Sequence, residues 1–195
     1  MARSSESTSP SLILRVRNDD SAAWRELVEL YSPLIAYWCR RKGLQPAAIH
    51  DCLQEVFFAV LKSLGSFTPT GTTGCFRAWL WTITRNKIID SLRREGQHAD
   101  ATGGTEGLAA MQALPDLAEA DEPTDDLHFN QLLHRALSQV QNEFETKTWQ
   151  AFWRTTIDSI SARQVAEELE ISPASVRKYR SRVLRRLREQ LGDAG

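Results

Sequence analysis

Residues 95–126 read EGQHADATGGTEGLAAMQALPDLAEADEPTDD, and this stretch limits what the rest of the chain can become. It contains no Phe, Trp or Tyr and is dense in acid, alanine and glycine. A segment of that composition buries too little apolar surface to offset the entropy of ordering it. Unstructured loops beyond about 15 residues are uncommon inside one compact domain. The sequence therefore predicts a flexible linker over 95–126, with one short helical turn near 108–114. It would join a domain at 12–94 to a second at 127–192. The alternative is one domain with a long surface loop. A chain of 195 residues suits two small domains, at one per about 100–200 residues.

The linker also explains a misleading sum. Twenty-four Lys and Arg against 25 Asp and Glu give a net charge of -1, which alone argues against a nucleic-acid binder. By segment the balance is +5 over 1–94, -10 over 95–146 and +4 over 147–195. Two basic ends flank an acidic middle, and asymmetry of this kind points toward nucleic acid.

Several classes drop out. Cys39, Cys52 and Cys75 are odd in number, far apart and without CxxC spacing, which argues against a disulfide scaffold and for a reducing, cytoplasmic setting. The apolar patch Leu12–Leu14 is too short for a signal peptide, and no uncharged apolar run approaches the ~18 residues of a membrane span. His50, His98, His128 and His134 form no H-x-x-x-H pair, and His50 and Cys52 lie two apart, off a common helical face. No metal site, cofactor or catalytic residue is expected. An enzyme would need a nucleophile–base pair, a metal cluster or a phosphate-cradling glycine loop, and none is present.

What remains is helical. Asn18-Asp19-Asp20-Ser21 caps a stretch with apolar residues at Trp24, Leu27, Val28, Tyr31, Leu34, Ile35 and Trp38, a 3.6-residue period closed by Arg40-Arg41-Lys42 and Gly43. Pro33 is a candidate kink. A second helix spans about 46–64, with Ile49, Leu53, Val56, Phe57, Val60, Leu61 and Leu64 inward. Asp51, Gln54, Glu55 and Phe58 lie off that stripe, as either a solvated face or a docking surface for a basic partner. In FRAWLWTITRNKIIDSLRR, Phe76, Trp79, Leu80, Ile83, Ile88 and Leu92 face inward. Trp81, Arg85, Asn86, Lys87, Asp90, Arg93 and Arg94 face outward. Aromatics beside Arg, Lys and Asn suit single-stranded DNA, though tryptophans also build cores.

After 127, helices near 128–143 and around TWQAFW precede SARQVAEELEISPASVRKYRSRVLRRLREQLG. Ser161 and Gln164 form a capping box, Glu170-Ile171 a turn, and Ser172-Pro173 a second capped start. This is a helix-turn-helix. Its second helix holds seven basic residues between Ser172 and Arg188 and no acidic one. Such helices enter the major groove, which makes Ser175, Arg177, Lys178 and Ser181 candidate base contacts and the later arginines phosphate contacts.

The whole resembles the extracytoplasmic-function subfamily of bacterial sigma-70-type RNA polymerase sigma factors. Three stretches carry the resemblance: DCLQEVFFAVLKSL at 51–64, W-L-x-x-I-x-R-N-x-x-x-D-x-x-R-R at 79–94, and the helix-turn-helix at 161–188. It implies an all-α fold of two small domains, the second with the helix-turn-helix. It further implies that Asp51, Gln54, Glu55 and Phe58 contact core RNA polymerase. Asn86, Lys87, Asp90, Arg93 and Arg94 would lie at the -10 element on the melted non-template strand. Ser175, Arg177, Lys178, Ser181 and Arg182 would lie at the -35 element of the promoter duplex. An anti-sigma factor would be a further partner, with no membrane insertion. The chain departs from the family at Tyr179 and Arg180, where arginine and leucine are usual, and at TWQAFW. The runner-up reading is a helix-turn-helix regulator with a helical partner-binding N-terminal domain, and a third is a helical adaptor without DNA.

Overall fold

The computed structural model describes residues 11–68, 76–101 and 125–192, without the side chains of 97–101. These are all-α, in two regions of four helices. The first comprises α1 (Leu12–Arg17), α2 (Ser21–Arg41), α3 (Pro46–Ser63) and α4 (Phe76–Ala101). The second comprises α5 (Asp126–Val140), α6 (Thr146–Thr156), α7 (Ala162–Leu169) and α8 (Pro173–Gln190), and single 3-10 turns follow α3 and α5. The helical turn expected near 108–114 lies outside the described residues, and α4 runs past the expected linker start to Ala101.

Local chemistry sets the helix ends. Asp20 caps α2, its carboxylate accepting from the Ala22 and Ala23 N–H groups. The Ala23 N–H and then Arg15 hold that carboxyl below its usual range. Pro33 leaves the Glu29 carbonyl without its helical donor, yet α2 continues unbroken from Ser21 to Arg41. The unanticipated helix is α1, too short to show a period: Ser11 caps it, and Leu12, Ile13 and Val16 are buried.

The core begins where α1, α2, α3 and α4 meet. Tyr31 and Phe76 pack edge to face at 5.1 Å, as do Trp38 and Trp81 at 5.4 Å. Trp81 is therefore buried, where the periodicity placed it outward, while Leu61, expected inside, is exposed.

The same core continues into the second region. Leu132, Ala136, Leu137 and Val140 of α5, Phe152 of α6, and Val183 and Leu187 of α8 join it. Around its edge Tyr37 stacks on His128 at 3.5 Å and donates to the Asp125 carboxylate at 3.1 Å. Gln190 donates to Gln139 at 2.9 Å, and Gln139 in turn to the Glu26 carbonyl at 3.1 Å. The turn after α8 closes the junction, with the buried Tyr31 hydroxyl donating to the Leu191 carbonyl at 2.8 Å. Next to it Gly192 holds φ +73°, and a Cβ there would sit 2.8 Å from Phe76 Cβ and 2.9 Å from Ile13 Cγ1. Only glycine meets both the backbone and the space. A second, smaller cluster of Ala151, Val165, Ala166 and Val176 holds α6, α7 and α8 together as the helix-turn-helix.

Gly192→Val is expected to cost about 1–3 kcal/mol through overpacking and backbone strain, lowering the thermal midpoint by about 2–10 °C. Gly65→Ala, whose Cβ would meet nothing within 4 Å, should stay within about 2 °C of wild type in the same calorimetric scan.

Candidate nucleic-acid interface

Three groups of candidate residues can be placed on this frame. Asp51, Gln54, Glu55 and Phe58 lie along one side of α3, spaced so that each falls three or four residues from another of the set. Asp51, Gln54 and Phe58 are exposed and Glu55 is partly so. Phe58 is 59% exposed and Leu61, one turn on, 55%, while the Lys62 ammonium sits 4.3 Å over the Phe58 ring. Sequence reasoning missed Leu61, although its i+3 spacing from Phe58 carried the signal. The result is an acidic side flanked by an apolar pair.

On the neighbouring α4, Asn86, Asp90, Arg93 and Arg94 are exposed and Lys87 partly so. Packing of α3 against α4 brings this group to the first. Glu55 accepts from Arg94 Nη2 at 2.8 Å, and its second oxygen lies 3.8 Å from Lys87 Nζ.

The third group stands on α8, which packs on α6, α7, α5 and α1. Ser172 caps the helix, its hydroxyl accepting from the Ser175 N–H at 3.0 Å and lying 2.9 Å from the Ser175 hydroxyl. Glu170 ends α7 in the left-handed region at φ 54°, which sets the turn between the two helices. Arg177, Lys178, Ser181 and Arg182 are exposed, and Ser175 is half-buried against its cap. The Arg182 guanidinium lies 5.7 Å from the Phe144 ring.

Not every arginine of α8 is available to phosphate. Arg186 is 7% exposed and makes two hydrogen bonds at 2.7 Å to the Glu143 carboxylate. It joins α8 to the turn after α5. The sequence could not show this, because Glu143 lies 43 residues away.

Elsewhere the chemistry is sparse. Cys39 donates to Cys52 Sγ at 3.6 Å, and that bond, together with burial, holds the Cys39 thiol well above its usual range. It is a protonated core group, not a nucleophile. Among the described residues no three His, Cys, Asp or Glu side chains gather as a metal site would require. No helix among them is long and apolar enough to cross a membrane.

Comparison with known proteins meets this geometry. Residues 27–98, which hold the α3 and α4 groups, match the family model for sigma-70 region 2. Over 185 residues the chain is 25% identical to the ECF RNA polymerase sigma factor SigW of Bacillus subtilis, covering 93% of this chain and 95% of that one. Over nearly its whole length the chain is similar to ECF sigma factors. It is also 24% identical over 195 residues to RpoE of Cereibacter sphaeroides, covering 98% of this chain and 99% of RpoE. With SigE of Mycolicibacterium smegmatis it shares 27% over 177 residues, 87% of this chain and 62% of the longer relative. The match to SigW and RpoE runs through both helical regions, so the helix-turn-helix is part of this chain's likeness to them and not an unrelated appendage.

Separate roles for two neighbouring arginines follow. Arg186→Ala should lower stability by about 1–3 kcal/mol, less than a fully buried pair because Glu143 reaches solvent. Arg182→Ala should leave the denaturant midpoint in place and reduce the salt slope of duplex binding by about 1.

Proposed function

We propose that this chain binds core RNA polymerase and directs promoter recognition and melting at the start of transcription. The observation that carries the reading is the presence of three distinct exposed chemistries on one helical frame. The α3 side, acidic with an apolar pair, suits a basic partner helix of the polymerase. The α4 face offers Asn86, Lys87, Asp90, Arg93 and Arg94 to unpaired DNA at the -10 element, cations for backbone and polar groups for a splayed base. The α8 face offers Arg177, Lys178, Ser181 and Arg182, with Ser175 at the cap, to the -35 major groove. Such a role is one of binding and places the chain with polymerase in the cytoplasm.

A distance argument defines what polymerase must do. The two elements lie about 25 base pairs apart, or about 85 Å along B-form DNA. A chain of this length folded around one core has a diameter of about 40 Å. The docked form cannot reach both elements, so the reading requires the two regions to separate on the polymerase, as two domains at 12–94 and 127–192 joined by 95–126. The tether then keeps the second face at high effective concentration once the first has bound.

Reconstitution with bacterial core RNA polymerase tests this. Start-site-specific transcripts from open complexes should appear only with the chain present. Asn86→Ala with Asp90→Ala should lower open-complex yield about tenfold or more while leaving polymerase binding in place. Polymerase that gains neither binding nor start-site selection would contradict the reading.

A further inference from the structure

Glu55 belongs to one candidate group and touches another. Its oxygens are divided between Arg94 at 2.8 Å and Lys87 at 3.8 Å, seven residues apart on α4. Seven residues span about two turns, or about 10.5 Å of rise, so one carboxylate on α3 straps two cations along one face of α4. The three side chains are 34%, 54% and 30% exposed, in the order Glu55, Arg94 and Lys87. All three are open enough to exchange partners, and Glu55 and Lys87 are buried enough that solvent screens their charges incompletely.

We propose that Glu55 couples polymerase docking to promoter capture by acting as a shared anion. In the free chain it occupies Lys87 and Arg94, the cations that would grip the backbone of unpaired DNA. A basic side chain of the polymerase that engages Glu55 from the open side of α3 competes with them and releases both. DNA phosphate that takes Lys87 and Arg94 likewise frees Glu55 for the polymerase. The coupling is therefore reciprocal, as any linkage between two binding equilibria must be. Exchange of one ion pair for another also keeps the carboxylate compensated throughout, so neither step leaves an isolated charge. Glu55 is on this account a positioning residue for the DNA-facing cations as well as a polymerase contact. The inference rests on the proposed function, because it uses that reading's assignment of the α3 and α4 faces.

The test uses the full chain and a fluorescein-labelled random-sequence single strand of about 12 nucleotides, titrated by anisotropy over a range of salt. Glu55→Gln removes the charge and keeps the shape. It should tighten binding about two- to tenfold, the range that two half-exposed ion pairs support. The salt dependence should steepen by up to about 1.4 in log–log slope, for two cations freed toward a single strand. Glu29→Gln, an equal charge change on α2, should do neither. In a Lys87→Ala, Arg94→Ala background the Glu55→Gln gain should vanish, and that double variant should bind core polymerase two- to tenfold tighter than wild type. A Glu55→Gln effect no larger than that of Glu29→Gln, or one that survives loss of both cations, would overturn the proposal. If start-site-specific transcription fails while the charge cycle holds, the functional reading falls and the strap stands. If transcription succeeds and the cycle is flat, only the coupling falls.

Discussion

The faces this fold presents depend on how its two regions join, and the junction at Tyr31 and Phe76 is one of the contacts that join them. There the first region's aromatic core receives the turn that ends the last helix. Tyr31 is fully enclosed, so its hydroxyl must find a partner, and the partner is the Leu191 carbonyl at 2.8 Å. Gly192 follows in a conformation and a space that exclude any Cβ. Because α8 carries both this turn and the basic surface, the contact helps the shared core to fix the α8 face relative to the α4 face. The polar chain Gln190–Gln139–Glu26 pairs the two amide NH2 groups that apolar docking would otherwise strand, while Gln190 Oε1 stays buried without a partner.

A division of labour between buried and exposed surface follows. The residues that join the two regions point inward, while the candidate polymerase and DNA residues lie on the outer sides of α3, α4 and α8. Docking therefore hides none of the faces; it restricts how far apart they stand. On the proposed reading, docking of the two regions withholds simultaneous engagement of the two DNA elements without covering either face. Effective concentration then decides the outcome, and it is zero for a pair of sites the body cannot span.

Much of this was legible in the sequence, for reasons of range. Helix starts at Ser161 and Ser172, the stripe along α2 and the basic run of α8 depend on residues within one or two turns of each other, and they appear as expected. Membership of three residue groups on α3, α4 and α8 was equally local. The parts not legible are the pairings between distant residues. Arg186 reads as a phosphate contact until Glu143 is seen beside it, and Trp81 as an outward aromatic until Trp38 meets its edge. The largest instance is the shared core: an apolar stripe has the same pattern whether it packs on its own region or the other. Composition of the intervening segment suggested separate cores, yet a linker of any composition permits its two ends to dock.

The most direct measurement of the account is a distance. Donor and acceptor dyes on cysteines introduced at Thr82 of α4 and Glu167 of α7, in a Cys75→Ser chain, would report how far apart the two regions stand. Both positions are exposed, and Cys39 and Cys52 are buried from labelling. The free chain should show a single separation within its folded diameter of about 40 Å. In a transcribing complex with polymerase and promoter it should lengthen toward the ~85 Å between the two elements. An unchanged short separation in a complex that makes specific transcripts would contradict it.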